Sequence, residues 1–168
     1  MKRYRRPLIA IAIAAALTAV TCWPMGWRVT VRNRAGELKY AARVKRGQLV
    51  WIVFDHSVNR SPVEDGYEPG DGCVTLRETR FRHYGAGIPD PEPGQTFEAR
   101  DGYYAITGYD VRMPTQWTFV GHVADHRLRV GEDGEAVHYN QLARPGEALG
   151  LSADRWSLWK EIMSRLRP

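Results

Sequence analysis

Between Arg28 and about Ser152, apolar and polar residues alternate with a period of two, in short runs punctuated by Gly, Pro and Asp. A pleated strand sends successive side chains to opposite faces. This rhythm therefore predicts antiparallel strands and excludes a helical bundle. "RVTVRNR" places Val29 and Val31 on one face before a turn at Ala35-Gly36, and "ELKYAARV" alternates again. "QLVWIVF" is an unbroken apolar run of strand length, the pattern of a central strand covered on both faces. "CVTLRETRF" sets Val74 and Leu76 against Thr75 and Arg77, while "QWTFVGHV" and "HRLRV" read as a hairpin pair. The expected fold class is mainly β, an antiparallel β-sandwich or small barrel. A chain of 168 residues suffices for one such domain with a genuine core.

Both ends depart from the rhythm. "MKRYRRP" precedes "LIAIAIAAALTAV", and no charge follows until Arg28. A basic head, an apolar run and Trp23 and Trp27 at its far end predict an N-terminal membrane helix over residues 1–27. An uncleaved signal anchor is preferred to a cleaved signal peptide, because Thr21, Cys22 and Trp23 match the small-x-small cleavage pattern poorly. Lys2, Arg3, Arg5 and Arg6 also account for most of the net charge of +5: from Arg28 onward 20 basic residues face all 19 acidic ones. No basic face of the kind nucleic acid requires is left, and no nucleic-acid partner is expected.

At the other end, "SADRWSLWKEIMSRLRP" predicts a C-terminal amphipathic helix over 153–168, capped by Ser152. Trp156, Leu158, Trp159, Ile162, Met163 and Leu166 share its apolar face. The β domain then spans 28–152. Plugging one end of that domain is the expected role of the helix, with lying on a membrane as the alternative. Cys22 and Cys73 are too differently placed for an internal disulfide, and Cys73 is expected to be a buried thiol.

Four features bear on chemistry. Asp55, His56 and Ser57 are consecutive, so strand alternation should put His56 opposite the other two and prevent a catalytic triad. The "HSVNRSPVED" stretch reads as strand, bend and next strand, with His56, Arg60, Glu64 and Asp65 gathered at a corner. No metal site is expected; the candidates His122 and His126 would lie about 13 Å apart in an extended strand, and a tight turn would be needed to bring them together. No Gly-rich phosphate loop opens a helix, and no cofactor is expected. Residues Gly85 to Gly94 carry Pro89, Pro91 and Pro93, which predicts a stiff loop outside the ladders.

Two motifs occur in order: His56-Ser57-Val58 with Pro62-Val63-Glu64, then "TRFRHYGAGIP" with Thr79, Phe81, Gly85, Ala86, Gly87 and Pro89. In these motifs and in its layout the chain resembles a small bacterial family of uncharacterised membrane-anchored proteins encoded beside TAXI-type TRAP transporter genes. "FVGHVADHRLRV" and the "PGEALGLS" strand resemble that family's closing region. Asn59, Ser61 and His83 depart from its pattern. The resemblance implies a non-enzymatic accessory component of the uptake system, acting by contact with the permease or its solute-binding protein. It implies a single-pass inner-membrane protein with the β domain in the periplasm. No catalytic residue carries over. The candidate interaction residues are His56, Ser57, Arg60, Pro62, Glu64, Thr79, Gly85, Gly87 and Pro89, with Trp156 and Trp159 of the tail. The alternative reading is an exported enzyme or metal-binding module using His56, or His122 and His126.

Overall fold

The computed structural model describes residues 5–58, 60–85 and 87–166, with side chains from 11 to 163. Lys2, Arg3, Asn59 and Ala86 lie outside the described residues, as do the side chains of Arg5, Arg6 and Leu166. In chain order the elements are α1 (Arg5–Cys22), β1 (Gly26–Asn33), β2 (Leu38–Val44), β3 (Val50–Asp55), β4 (Pro62–Gly70) and β5 (Cys73–Phe81). They continue with β6 (Thr96–Arg100), β7 (Tyr103–Met113), β8 (Gln116–Phe119), β9 (Arg127–Val130) and β10 (Val137–His138). Helix α2 (Tyr139–Leu142), β11 (Ala148–Trp156) and α3 (Leu158–Leu166) complete them.

The strands form two antiparallel sheets: a small one ordered β2-β1-β11-β8 and a large one ordered β10-β9-β3-β4-β5-β7-β6. This is an open sandwich and not a closed barrel. The sheets meet through β1 and β11 against β4 and β5. Val29, Val31, Leu149 and Leu151 of the small sheet pack there on Val50, Ile52, Tyr67, Val74 and Leu128 of the large one. As its apolar run required, β3 lies inside the large sheet, between β9 and β4.

The large sheet is wider than its partner. The part of its inner face beyond the small sheet carries a second buried cluster of Val63, Phe81 and Ile106. Ile88, from the proline-rich loop, packs on this cluster together with Phe54, Tyr104 and Tyr109. The loop is thus a cover for sheet that the small sheet does not reach.

Several expectations are corrected. β8 and β9 do not form a hairpin: β8 joins β11 in the small sheet and β9 joins β3 in the large one. The segment between them crosses the edge of the sandwich, so its turn residues close no ladder. Ser152 caps no helix, because β11 stays paired to β1 as far as Trp156 opposite Gly26. Helix α3 begins at Leu158, and the Ser157 hydroxyl accepts from the Lys160 N–H at 3.3 Å. Trp156 is therefore a buried strand residue, under Arg43 and donating its Nε1–H to Glu161.

The N-terminal expectation shortens likewise. Helix α1 stops at Cys22, ahead of Pro24, and Trp27 belongs to β1 and packs against the core. Among the described residues, no helix is long and apolar enough to cross a membrane. Ile11, Ile13, Leu17 and Val20 of α1 are exposed. Cys73 is buried and Cys22 exposed, and the two are unbonded.

Candidate functional site

Pairing registers fix which side chains share a face of the large sheet. Phe54 lies opposite Val63 and Ile52 opposite Asp65, and Asp65 in turn lies opposite Thr79. These residues alternate with Trp51, Glu64 and Arg80, which face outward. An acidic residue, Asp65, therefore stands on the inner face of the sheet, among apolar neighbours.

At this place the inner face borders a cavity of about 570 Å³. Its floor is Phe54, Asp65, Leu76 and Thr79, and its rim is His56, Ser57, Gly87, Ile88 and Pro89. Tyr109 and His126 close the sides. A second cavity of about 320 Å³ shares Phe54, Asp65 and His126 and runs to Trp117 and Phe119 of the edge strand β8.

The rim is made by the turn after β3. After the Asp55 N–H donates to Ala124 O at 2.7 Å, the chain leaves the ladder. The N–H of His56 then donates to Ser61 O at 2.9 Å, and the N–H of Arg60 donates to His56 O at 2.8 Å. Arg60 adopts φ 49°, in the left-handed region that a tight reversal demands. Because the strand ends at Asp55, alternation does not govern the triplet, and Asp55, His56 and Ser57 all border one cavity. The expected reason for rejecting a triad was therefore wrong.

Two other observations reject it. The Asp55 carboxylate accepts from Arg127 Nη2 at 2.8 Å, an outward-facing partner. Nδ1 of His56 accepts from the Val58 N–H at 3.3 Å, so in the neutral ring the proton sits on Nε2. A general base oriented by a carboxylate needs the reverse, Nδ1–H toward the acid and a bare Nε2 toward the nucleophile. Nε2 instead faces the proline-rich loop: a Cβ on Gly87 would lie 2.6 Å from it. Gly87 also has φ +90°, so both its space and its backbone exclude a side chain.

Electrostatics distinguish the floor. The Thr79 hydroxyl donates to Asp65 Oδ1 at 2.8 Å. Burial nevertheless pushes the Asp65 carboxyl up to about 6, with the Thr79 hydrogen bond pulling the other way. The Tyr67 phenol is raised by its own burial, then by Asp65 and Tyr139, and burial likewise raises Tyr139. Tyr109 is raised by burial, against a hydrogen bond with Thr79. Burial lowers the pKa of His126, opposed by Asp125. The His126 ring lies 5.6 Å from Phe54, and its buried Nδ1 finds no partner among the described residues.

The sequence-derived candidates divide. His56, Ser57, Thr79, Gly87 and Pro89, drawn from both motifs, border the same cavity. Glu64 faces outward and binds Arg129 at 2.8 Å, Pro62 lies beside it, and Arg60 is exposed. The corner expected to join His56, Arg60, Glu64 and Asp65 does not form, because Glu64 and Asp65 lie on opposite faces. Gly85 stands behind the rim, its carbonyl accepting from the Ile88 N–H at 3.1 Å. Trp156 and Trp159 are remote from the cavity, and Trp159 is exposed on α3. His122 is exposed while His126 enters the cavity wall, and no group of three or more metal-ligating side chains occurs among the described residues. Sequence reasoning named Asp65 only as part of the corner and missed Tyr109 altogether. The inward parity of Val63, Asp65 and Tyr67 was the available signal for Asp65.

A family model described as a domain of unknown function (DUF1850) matches residues 50–136. Every residue bordering the larger cavity falls within that stretch. No curated protein and no solved structure matches the chain significantly.

Proposed function

The chain belongs to the DUF1850 family, and we propose that it is a membrane-tethered, non-catalytic accessory protein of a TAXI-type TRAP transporter. It works by contact, with its β domain on the periplasmic side of the inner membrane. The partner is the permease or the solute-binding protein that serves it.

The observation that carries this reading is the convergence of the two motifs on one rim. The motifs are separated in sequence, yet Gly87 of the second seats against His56 of the first. That contact holds the stiff loop in a fixed position, and a preorganised loop loses little entropy on docking. The imidazole is committed to holding the rim, which supports recognition over turnover. Helix α1 supports the tether, since exposed Ile11, Ile13, Leu17 and Val20 call for an apolar environment. Trp159 and Ile162 add an exposed apolar strip on α3, which packs near α1.

Full-length protein is expected to resist extraction by alkaline carbonate and to co-purify with a TRAP permease in mild detergent. Deletion of the gene is expected to reduce solute uptake. Intact uptake in the deletion strain, with no permease recovered, would overturn the reading and leave an exported ligand-binding module.

A further inference from the structure

We propose that the inner-face cavity is a binding site for a small organic amine, a mostly apolar molecule with one ammonium head that pairs with Asp65. The cavity volume of about 570 Å³ suits a small ligand, and its walls are largely apolar. Phe54, Tyr109 and His126 offer ring surfaces, and Leu76 and Ile88 offer aliphatic ones. Two carboxylates border the cavity, and Asp55 is already held by Arg127 at 2.8 Å, which leaves Asp65. Thr79 occupies its Oδ1, and no Lys or Arg is among the described residues that border the cavity.

Other carboxylates on or beside the large sheet are paired. Asp55, Glu64, Glu78 and Glu132 each lie within ion-pair distance of an arginine. A half-buried carboxylate without a counter-ion is unfavourable, and a ligand that brings a cation removes the defect. Aromatic walls favour the same charge through the ring quadrupole. An anionic ligand would instead meet Asp65 as a like charge.

This assignment is independent of the transporter reading, since it needs the purified chain alone. Full-length protein in detergent is titrated calorimetrically with benzylammonium, benzyl alcohol and phenylacetate at neutral pH. Saturable binding of benzylammonium is expected, about tenfold or more tighter than benzyl alcohol, with none for phenylacetate. Asp65→Asn is isosteric, keeps an acceptor for Thr79, and is expected to lower benzylammonium affinity about tenfold while leaving benzyl alcohol unchanged. Equal affinity for the amine and the alcohol, preference for phenylacetate, or no saturable binding would overturn the proposal. The comparison of probes on the unaltered chain holds whether or not the variant folds.

Discussion

On its outer face the large sheet buries Trp51 completely, beneath Arg80 at 4.0 Å from the ring centroid and Arg129 at 6.0 Å. Arg80 pairs with Glu78 at 2.6 Å and holds both oxygens of Glu132 at 2.9 and 3.0 Å, while Glu78 also receives Arg100 at 2.8 Å. On the inner face of the same strands, Asp65 has a hydroxyl for company and a cavity in front of it. Charge outside is locked to charge. Charge inside is left for something else to meet. The outer face is thus a structural lid over an aromatic residue, and the inner face is where the proposed site lies.

Breaking the outer face should have the largest effect. Trp51→Ala is expected to destabilise by about 3–5 kcal/mol in chemical denaturation, since it empties a fully buried indole site. The converse change, Gly66→Ala, would press a Cβ to 2.6 Å from the Trp51 ring and is expected to cost about 1–3 kcal/mol.

A pair of charge removals sharpens the comparison. Glu78→Gln is expected to destabilise by about 2 kcal/mol, because Arg80 and Arg100 lose their shared anion. Asp65→Asn is expected to do the opposite. Its folded pKa of about 6 stands above the ordinary 3.8, so the native state binds that proton more tightly than the unfolded chain. Stability therefore falls as pH rises from about 4 to about 6, and the penalty is complete above that. The variant should match the wild type near pH 4 and exceed it by up to about 3 kcal/mol at pH 8 in thermal melts.

Gly87→Ala is expected to cost about 1–2 kcal/mol through its backbone and the clash with His56. It should weaken permease co-purification by more than its stability loss explains. Trp159→Ala, on an exposed helix position, is expected to change stability by less than about 0.5 kcal/mol and to reduce co-purification with the permease.

Much of the scaffold was legible. Alternation located β1, β2 and β5, and the unbroken run marked β3 as an interior strand. Alternation cannot say which sheet a strand joins, so β8 and β9 looked like neighbours although they lie in different sheets. "SAD" has the chemistry of a helix cap, yet eight paired positions along β1 hold that segment extended. The β6–β7 hairpin, turned by Asp101-Gly102, passed unnoticed beside the proline-rich loop. The site was half visible. His56, Thr79 and Gly87 came from motifs, but Asp65 needed the register of β4, and Tyr109 needed a strand that had not been found.

The most direct test of the contrast is a carbon-13 titration of the Asp65 side-chain carboxyl in the full-length protein, alone and with benzylammonium. The account predicts a midpoint near 6 for the free protein, and a lower one when the ammonium is bound. A midpoint in the ordinary carboxylate range, unmoved by the amine, would mean that Asp65 is already compensated and would contradict the assignment of the inner face.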